Sequence, residues 1–266
     1  NNMERKIQKS DKIFIAGSTG MAGSAIKRTL IKFGYGCKAM GGNLLTPKRI
    51  DLDLLDFQKV KQWFERNTPD VVIIAAAEVG GILANSSRAT DFILNNLKIQ
   101  NNIIENAWKN KTRRLLFLGS SCIYPRNCPQ PIQEDFLLDG SLEITNQWYA
   151  IAKIAGIKLC QALRIEYGFD TICLMPTNLY GPGDNYDNFE SHVMASFIRK
   201  FQDASKNKSP NVVCWGSGKP LREFMHVDDL ANAVLFCLEN WDPDHINSPK
   251  DNDGGNLNYL NVGTGK

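Results

Sequence analysis

Tyr149 and Lys153 lie four residues apart in a stretch patterned as a helix, Gln147 to Tyr167, so a phenol and an amine share one face a turn apart. Such a pair does proton chemistry at a carbonyl or alcohol oxygen. The amine favours the phenolate and grips a hydroxylated ligand, while the phenol exchanges its proton. YxxxK alone recurs by chance on amphipathic helices. Ser120 sharpens the reading, because it follows the apolar run Arg114 to Gly119 and can offer a hydroxyl to the same oxygen. Near the start of the chain, Gly17, Gly20 and Gly23 form GxxGxxG between the short apolar run Lys12 to Ala16 and an amphipathic stretch reaching about Phe33. Gly17 permits a sharp turn, Gly20 lets backbone N–H groups approach a pyrophosphate at a helix N-terminus, and Gly23 permits close helix-to-strand packing. Ser18, Thr19, Met21 and Ala22 complete that loop. Tight strand-to-helix turns also need glycine for steric reasons. Placement directly after the first strand favours the dinucleotide reading.

The neighbourhood expected at the end of the second strand reads Thr46, Pro47, Lys48, Arg49. An NAD site would carry an acidic residue there for the ribose 2′-hydroxyl. Two cations and no carboxylate favour a 2′-phosphate, hence NADP, with a solvated loop of incidental charges as the alternative. Asp53 follows at a position suited to the adenine amino group. Cys122, two residues beyond Ser120, belongs to a loop that should line the site; a thiol there can shuttle a proton at carbon, or simply pack as a free cysteine. Of the three histidines, His192 follows a turn-rich segment and reads as a surface or capping residue, His226 as a structural hydrogen-bonder and His245 as a loop residue. Trp215 and Arg222 bracket GSGKPL, where an indole can stack on a base and a guanidinium can grip a diphosphate; taken singly, each also reads as a fold residue.

The elements that must hold these groups follow from pattern. Pro69 to Ala77 is a continuous β-branched run, as in a strand covered on both faces, and Arg114 to Gly119 and Thr171 to Met175 repeat it. Helical patterns at Asp56 to Arg66, Asn95 to Asn110 and Gln147 to Tyr167 alternate with them, which predicts a doubly wound α/β parallel sheet. A short second strand is expected at Asn43 to Thr46. Beyond Pro176 the pattern loosens into turns, a helix near His192 to Phe201, a strand at Val212 to Trp215 and a helix at Asp228 to Asn240, with a flexible loop at Asp242 to Asn256. The division expected is a dinucleotide-binding domain over 10–178 and a substrate lobe over 179–266 that lends the segment 223–240 back to the first domain. The strand-like ending before Lys266, and Asn1 and Asn2 ahead of Met3, suggest an excerpt of a longer chain.

Composition sets the bounds. At 266 residues, 43% hydrophobic and 22% charged, the chain is ordinary globular material of fewer than two typical domains. A net charge of +3 is too small to argue for nucleic acid or an anionic membrane. Seven cysteines include no CxxC pair, and the spacing of Cys122 and Cys128 fits neither a zinc knuckle nor a redox motif, so no metal is expected. Cys160, Cys173, Cys214 and Cys237 read as small buried hydrophobes in a reducing cytoplasm. No apolar run approaches a membrane span.

Taken together, GSTGMAGSAI, AAAEVGGI, LLFLGSSCIYP, YAIAKIAGIKLC, MPTNLYGPGDN, SHV and WGSGKPLREFMHVDDLA resemble the GDP-L-fucose synthases, extended short-chain dehydrogenase/reductases, from about Lys12 to the last residue. The resemblance implies a two-lobed Rossmann enzyme, usually a homodimer, that converts GDP-4-dehydro-6-deoxy-D-mannose to GDP-L-fucose with NADPH. It implies Cys122 and His192 as the acid/base pair for epimerisation, and Leu118, Gly119, Ser120, Ser121, Pro176, Thr177, Asn178 and Leu179 as walls of the NADP(H) site beside Lys153 and His192. Lys200, Trp215 and Arg222 would hold the GDP-sugar. Three departures stand out: Glu78 where the family commonly has lysine, Lys200 where arginine is common, and a family chain that continues past the NVGTG strand. A UDP-sugar 4-epimerase with tightly held NAD, or a non-catalytic NADP-binding sensor, are the rival readings.

Overall fold

The structure is a computed structural model and describes residues 6–80, 87–186, 193–214 and 216–265. Among these the chain forms β1 (Lys12–Ala16), α1 (Met21–Lys32), β2 (Asn43–Leu45), α2 (Phe57–Asn67), β3 (Val71–Ile74), α3 (Ala89–Lys109), β4 (Arg114–Leu118), α4 (Gln147–Tyr167) and β5 (Asp170–Pro176). There follow β6 (Asn178–Tyr180), α5 (Val193–Lys206), β7 (Phe224–His226), α6 (Val227–Asn240) and β8 (Tyr259–Val262). Six strands pair in parallel in the order β2-β1-β3-β4-β5-β8. The direction of winding reverses between β1 and β3, where Phe14 sits in register with Leu45 on one side and Val72 on the other. In open α/β sheets that reversal opens a crevice at the carboxyl ends of the strands.

Both faces of the sheet are covered, which is why its strands read as unbroken apolar runs rather than alternating ones. On β4, Leu115 and Phe117 face one core with Phe14, Val72, Phe64, Ile104 and Ile157, beneath α2, α3 and α4. Leu116 and Leu118 face the other, with Ile15, Ile73, Leu30 and Val234, beneath α1 and α6. At the amino end of the sheet the fully buried Arg114 pairs with Asp170 and donates to the carbonyls of Cys237 (3.0 Å) and Trp241, joining β4, β5 and the end of α6. No helix among the described residues is long and apolar enough to cross a membrane.

Several expectations are corrected. Helix α3 begins at Ala89, six residues before the expected Asn95, with Asp91 in its first turn complementing the helix dipole. Residues 212–214 form no strand: Val213 is 73% exposed and Cys214 is exposed rather than buried, so the apolar run there has no sheet to join. Cys160, Cys173 and Cys237 are buried as expected. The unexpected elements are β6 and β7, three residues each, which pair in parallel with Leu179 beside Met225. Strands this short carry no periodicity to detect.

Candidate functional site

The chemistry-bearing residues collect where the crevice opens. Gly17 leaves β1 at φ +81°, and a Cβ on it would lie 2.6 Å from the backbone nitrogen of Ala76, just past β3. A Cβ on Gly23 would run into the Gly17 carbonyl oxygen. The fold therefore requires both glycines. Gly20 differs, since a Cβ there would meet only the Gly17 oxygen at 3.5 Å. It caps α1 with no side-chain bond, no acidic residue follows in the first turn, and the first-turn N–H groups lack intrahelical acceptors. Ser18 is buried, Thr19 exposed, and Met21 and Ala22 half-buried against the core. Gly183, in the turn after β6, stands against Met21 and Ser24, so the GPG turn flanks the same helix end.

On the far side of the switch point, β4 delivers Leu118, Gly119 and Ser120. Ser120 is extended and its Oγ accepts from the Cys122 N–H at 3.5 Å, capping a single 3₁₀ turn, Ser121–Ile123, that packs on α4. From α4, Lys153 is 3% exposed; its Nζ donates to the Leu118 carbonyl at 2.8 Å, lies 4.7 Å from the Phe117 ring centroid and 5.6 Å from that of Tyr149. Gly156 makes room below, because a Cβ there would strike both the Phe117 ring and the Gln100 amide.

The electrostatics tie four groups together. Burial lowers the Lys153 amine from 10.5 to about 8, opposed by the neighbouring Cys122 and Cys173. Burial pushes the Cys122 thiol up, against the pull of its Ser120 hydrogen bond and the Lys153 charge. Desolvation, with a smaller contribution from Cys122, holds the Tyr149 phenol well above its ordinary value, although the residue is not fully buried. At neutral pH Tyr149 is thus a proton donor. The Lys153 ammonium bonds the Leu118 carbonyl and stands 5.6 Å from the centre of the Tyr149 ring.

Other expected site residues divide. Lys48 and Arg49 are exposed just beyond β2, with no side-chain ion pair among the described residues. Asp53 turns one carboxylate oxygen inward to accept from the Leu55 N–H at 3.0 Å. Pro176 ends β5 beside Val262, and Leu179 packs against the core. The Thr177 hydroxyl and the Asn178 amide both donate to the Glu223 carbonyl at 3.0 Å, so these two donors hold the fold. Lys200 lies half-buried on α5, and Arg222 is exposed, donating to the Leu221 carbonyl at 2.8 Å. His192 and Trp215 lie outside the described residues. His226 accepts from the Asp228 N–H to cap α6, and His245 accepts from the Asn247 N–H within its loop.

Sequence reasoning missed the clamp on the turn after β3. Asn96 accepts from the Glu78 N–H at 2.8 Å and returns a bond to its carbonyl, while Asn95 and Arg88 take the Glu78 carboxylate. The amides of Asn95 and Asn96, close after the expected strand, were the available signal, though Gln100, Asn102 and Asn106 on the same helix are buried amides as well.

The family model for the NAD dependent epimerase/dehydratase family matches residues 13–248. The chain belongs to that family. It takes a nicotinamide cofactor, in keeping with the crevice just described. Among curated members it is 49% identical over 258 residues to "GDP-L-fucose synthase 1" of Arabidopsis thaliana, covering 97% of this chain and 74% of the relative. It is 47% identical over 254 residues to "GDP-L-fucose synthase" of Escherichia coli (strain K12), covering 96% and 76%. Among solved members, a GDP-L-fucose synthetase from Naegleria fowleri bound to NADP superposes with a TM-score of 0.82 at 27% identity, covering 99% of this chain and 80% of that one.

Proposed function

We propose that this chain catalyses the 3,5-epimerisation and 4-reduction of GDP-4-dehydro-6-deoxy-D-mannose to GDP-L-fucose, with NADPH. The carrying observation is the cluster of Ser120, Cys122, Tyr149 and Lys153 past the carboxyl end of β4, on the same side of the parallel sheet as the Gly17–Gly23 turn after β1, on a chain with GDP-L-fucose synthase relatives. The residues present fit the cofactor: Gly20 leaves open the space a Cβ would occupy above the end of α1, and Lys48 and Arg49 follow β2 where a 2′-phosphate would need cations.

In this reading Ser120 and Tyr149 donate to the C4 ketone oxygen of the sugar. A ketone acidifies the hydrogens on both adjacent carbons, and donors at its oxygen stabilise the enolate formed when either proton leaves. Cys122 and His192 remove the C3 and C5 protons and return them on the opposite face. Cys122 is a thiol in the free protein, and the nearby Lys153 ammonium is the charge that favours its thiolate. Bound NADPH supplies hydride to C4. Tyr149, kept protonated by its surroundings, then gives its proton to the C4 oxygen. Lys153 holds a ribose hydroxyl.

Lys200, Trp215 and Arg222 grip the GDP moiety within a lobe spanning 179–266, and 10–178 bind the cofactor. The enzyme works as a cytoplasmic homodimer. Incubation with NADPH or NADH and candidate 4-keto sugar nucleotides, following loss of reduced-nicotinamide absorbance, tests the reading. Rapid oxidation of NADPH with the GDP-sugar is expected; a tightly retained NAD with no net oxidation would overturn it.

A further inference from the structure

Glu223 has no part in the mechanism above, yet two other segments meet on it, the 263–265 turn and the Thr177–Asn178 junction. Its carboxylate oxygen Oε1 accepts from the Gly265 N–H at 2.9 Å, from the Thr264 hydroxyl at 3.0 Å and from the Thr264 N–H. These donors belong to the turn that follows β8. A Cβ on Gly263 would lie 2.5 Å from Oε1, so the turn closes around the carboxylate only because that residue is glycine. Successive backbone N–H groups of this kind form an anion nest. They hold the carboxyl of Glu223 below its usual range, led by the bond from Gly265. The Glu223 carbonyl meanwhile accepts from Thr177 and Asn178, where β5 passes into β6. The same residue is therefore pinned at two points to the edge of the main sheet, immediately before β7.

Arg222 is next in the chain. A glutamate beside an arginine on an exposed segment is a ready internal partner for the guanidinium. Here the nest captures the carboxylate, and Arg222 contacts only its neighbour's carbonyl, with no carboxylate on it among the described residues. We infer that Glu223 is a positioning residue for the nucleoside diphosphate of the substrate: by docking into the 263–265 turn it fixes the backbone that carries Arg222 and leaves that guanidinium free for phosphate. The inference rests on the proposed assignment of Arg222 to the GDP-sugar.

The test is calorimetric titration of GDP, and separately of NADP⁺, into the full chain and its variants. Arg222→Ala is expected to weaken GDP binding about tenfold or more, through loss of a guanidinium–phosphate contact. Glu223→Ala is expected to weaken GDP about tenfold while leaving NADP⁺ within about twofold, because the backbone carbonyl that anchors Thr177 and Asn178 survives the change. Glu223→Gln keeps an acceptor oxygen in the nest but loses its charge, and a loss of about threefold is expected. Adding Glu223→Ala to Arg222→Ala should weaken GDP little further, since the positioned group is already gone.

Wild-type GDP affinity in a folded Glu223→Ala protein would overturn the inference. So would full additivity in the double variant, or equal losses for GDP and NADP⁺, which mark general loosening. Should Glu223→Ala not fold, Glu223→Gln carries the same comparison, and its loss must vanish in the Arg222→Ala background. Unchanged GDP affinity in Arg222→Ala alone would refute the assignment of Arg222 and this inference with it. A loss with Arg222→Ala and none with either Glu223 variant would refute the inference alone.

Discussion

Replacing Lys153 by methionine should stabilise the ligand-free protein while removing its activity. Lys153 is 3% exposed, and among the described residues its hydrogen-bond acceptor is the neutral carbonyl of Leu118. Burial lowers its pKa from 10.5 to about 8, and that fall corresponds to a penalty of about 3 kcal/mol on folding with the amine charged. Methionine removes the penalty and places a thioether over Phe117, but leaves the Leu118 carbonyl without its donor, at about 1–3 kcal/mol. The net gain expected near pH 7 is about 1 kcal/mol. The pH dependence is sharper than the magnitude. Because the folded pKa is the lower one, the unfolded chain binds more protons between pH 8 and 10.5, so wild-type stability rises with pH through that window. Methionine does not titrate. The stability difference between variant and wild type, read from urea unfolding of cofactor-free protein at stepped pH, should therefore move by about 3 kcal/mol in favour of wild type across the window. A difference that stays flat would show that the buried ammonium carries no such folding penalty.

Tyr149→Phe should cut reduction by a factor on the order of 10² to 10⁴, read as NADPH oxidation, while leaving the melting temperature nearly unchanged. Cys122→Ser should slow exchange of solvent deuterium into C3 and C5 by about a hundredfold or more; wash-in at the wild-type rate would remove Cys122 from the epimerisation. The glycines of the first turn should separate cleanly. Gly23→Ala drives a Cβ into the Gly17 carbonyl and should destabilise the fold by about 1–3 kcal/mol. Gly20→Ala meets only ordinary contact, so the protein should melt normally and lose NADPH affinity, measured by fluorescence titration.

The legible parts of this chain are those where local pattern and tertiary role coincide. β3 and β4 are buried on both faces, so their sequences carry no polar alternation and read at once as interior parallel strands. Ser120, Tyr149 and Lys153 stood out because their order and spacing already assume the fold that brings them together. What stayed hidden depends on distant partners. The side-chain donors of Thr177 and Asn178 go to a carbonyl some 45 residues away, and nothing near either residue announces it. The bond from Lys153 to the Leu118 carbonyl spans 35 residues. Val212 to Trp215 misled for the opposite reason: its apolar side chains satisfy a strand pattern, yet Val213 and Cys214 face solvent.

In the proposed mechanism one ketone-centred cluster serves both epimerisation and reduction. Its most direct test is conversion of GDP-4-dehydro-6-deoxy-D-mannose with unlabelled NADPH in deuterium oxide, with the product read by NMR. The expected product is GDP-L-fucose bearing deuterium at C3 and C5 and protium at C4. A reduced product without deuterium at C3 and C5, or one with solvent deuterium at C4, would contradict the mechanism.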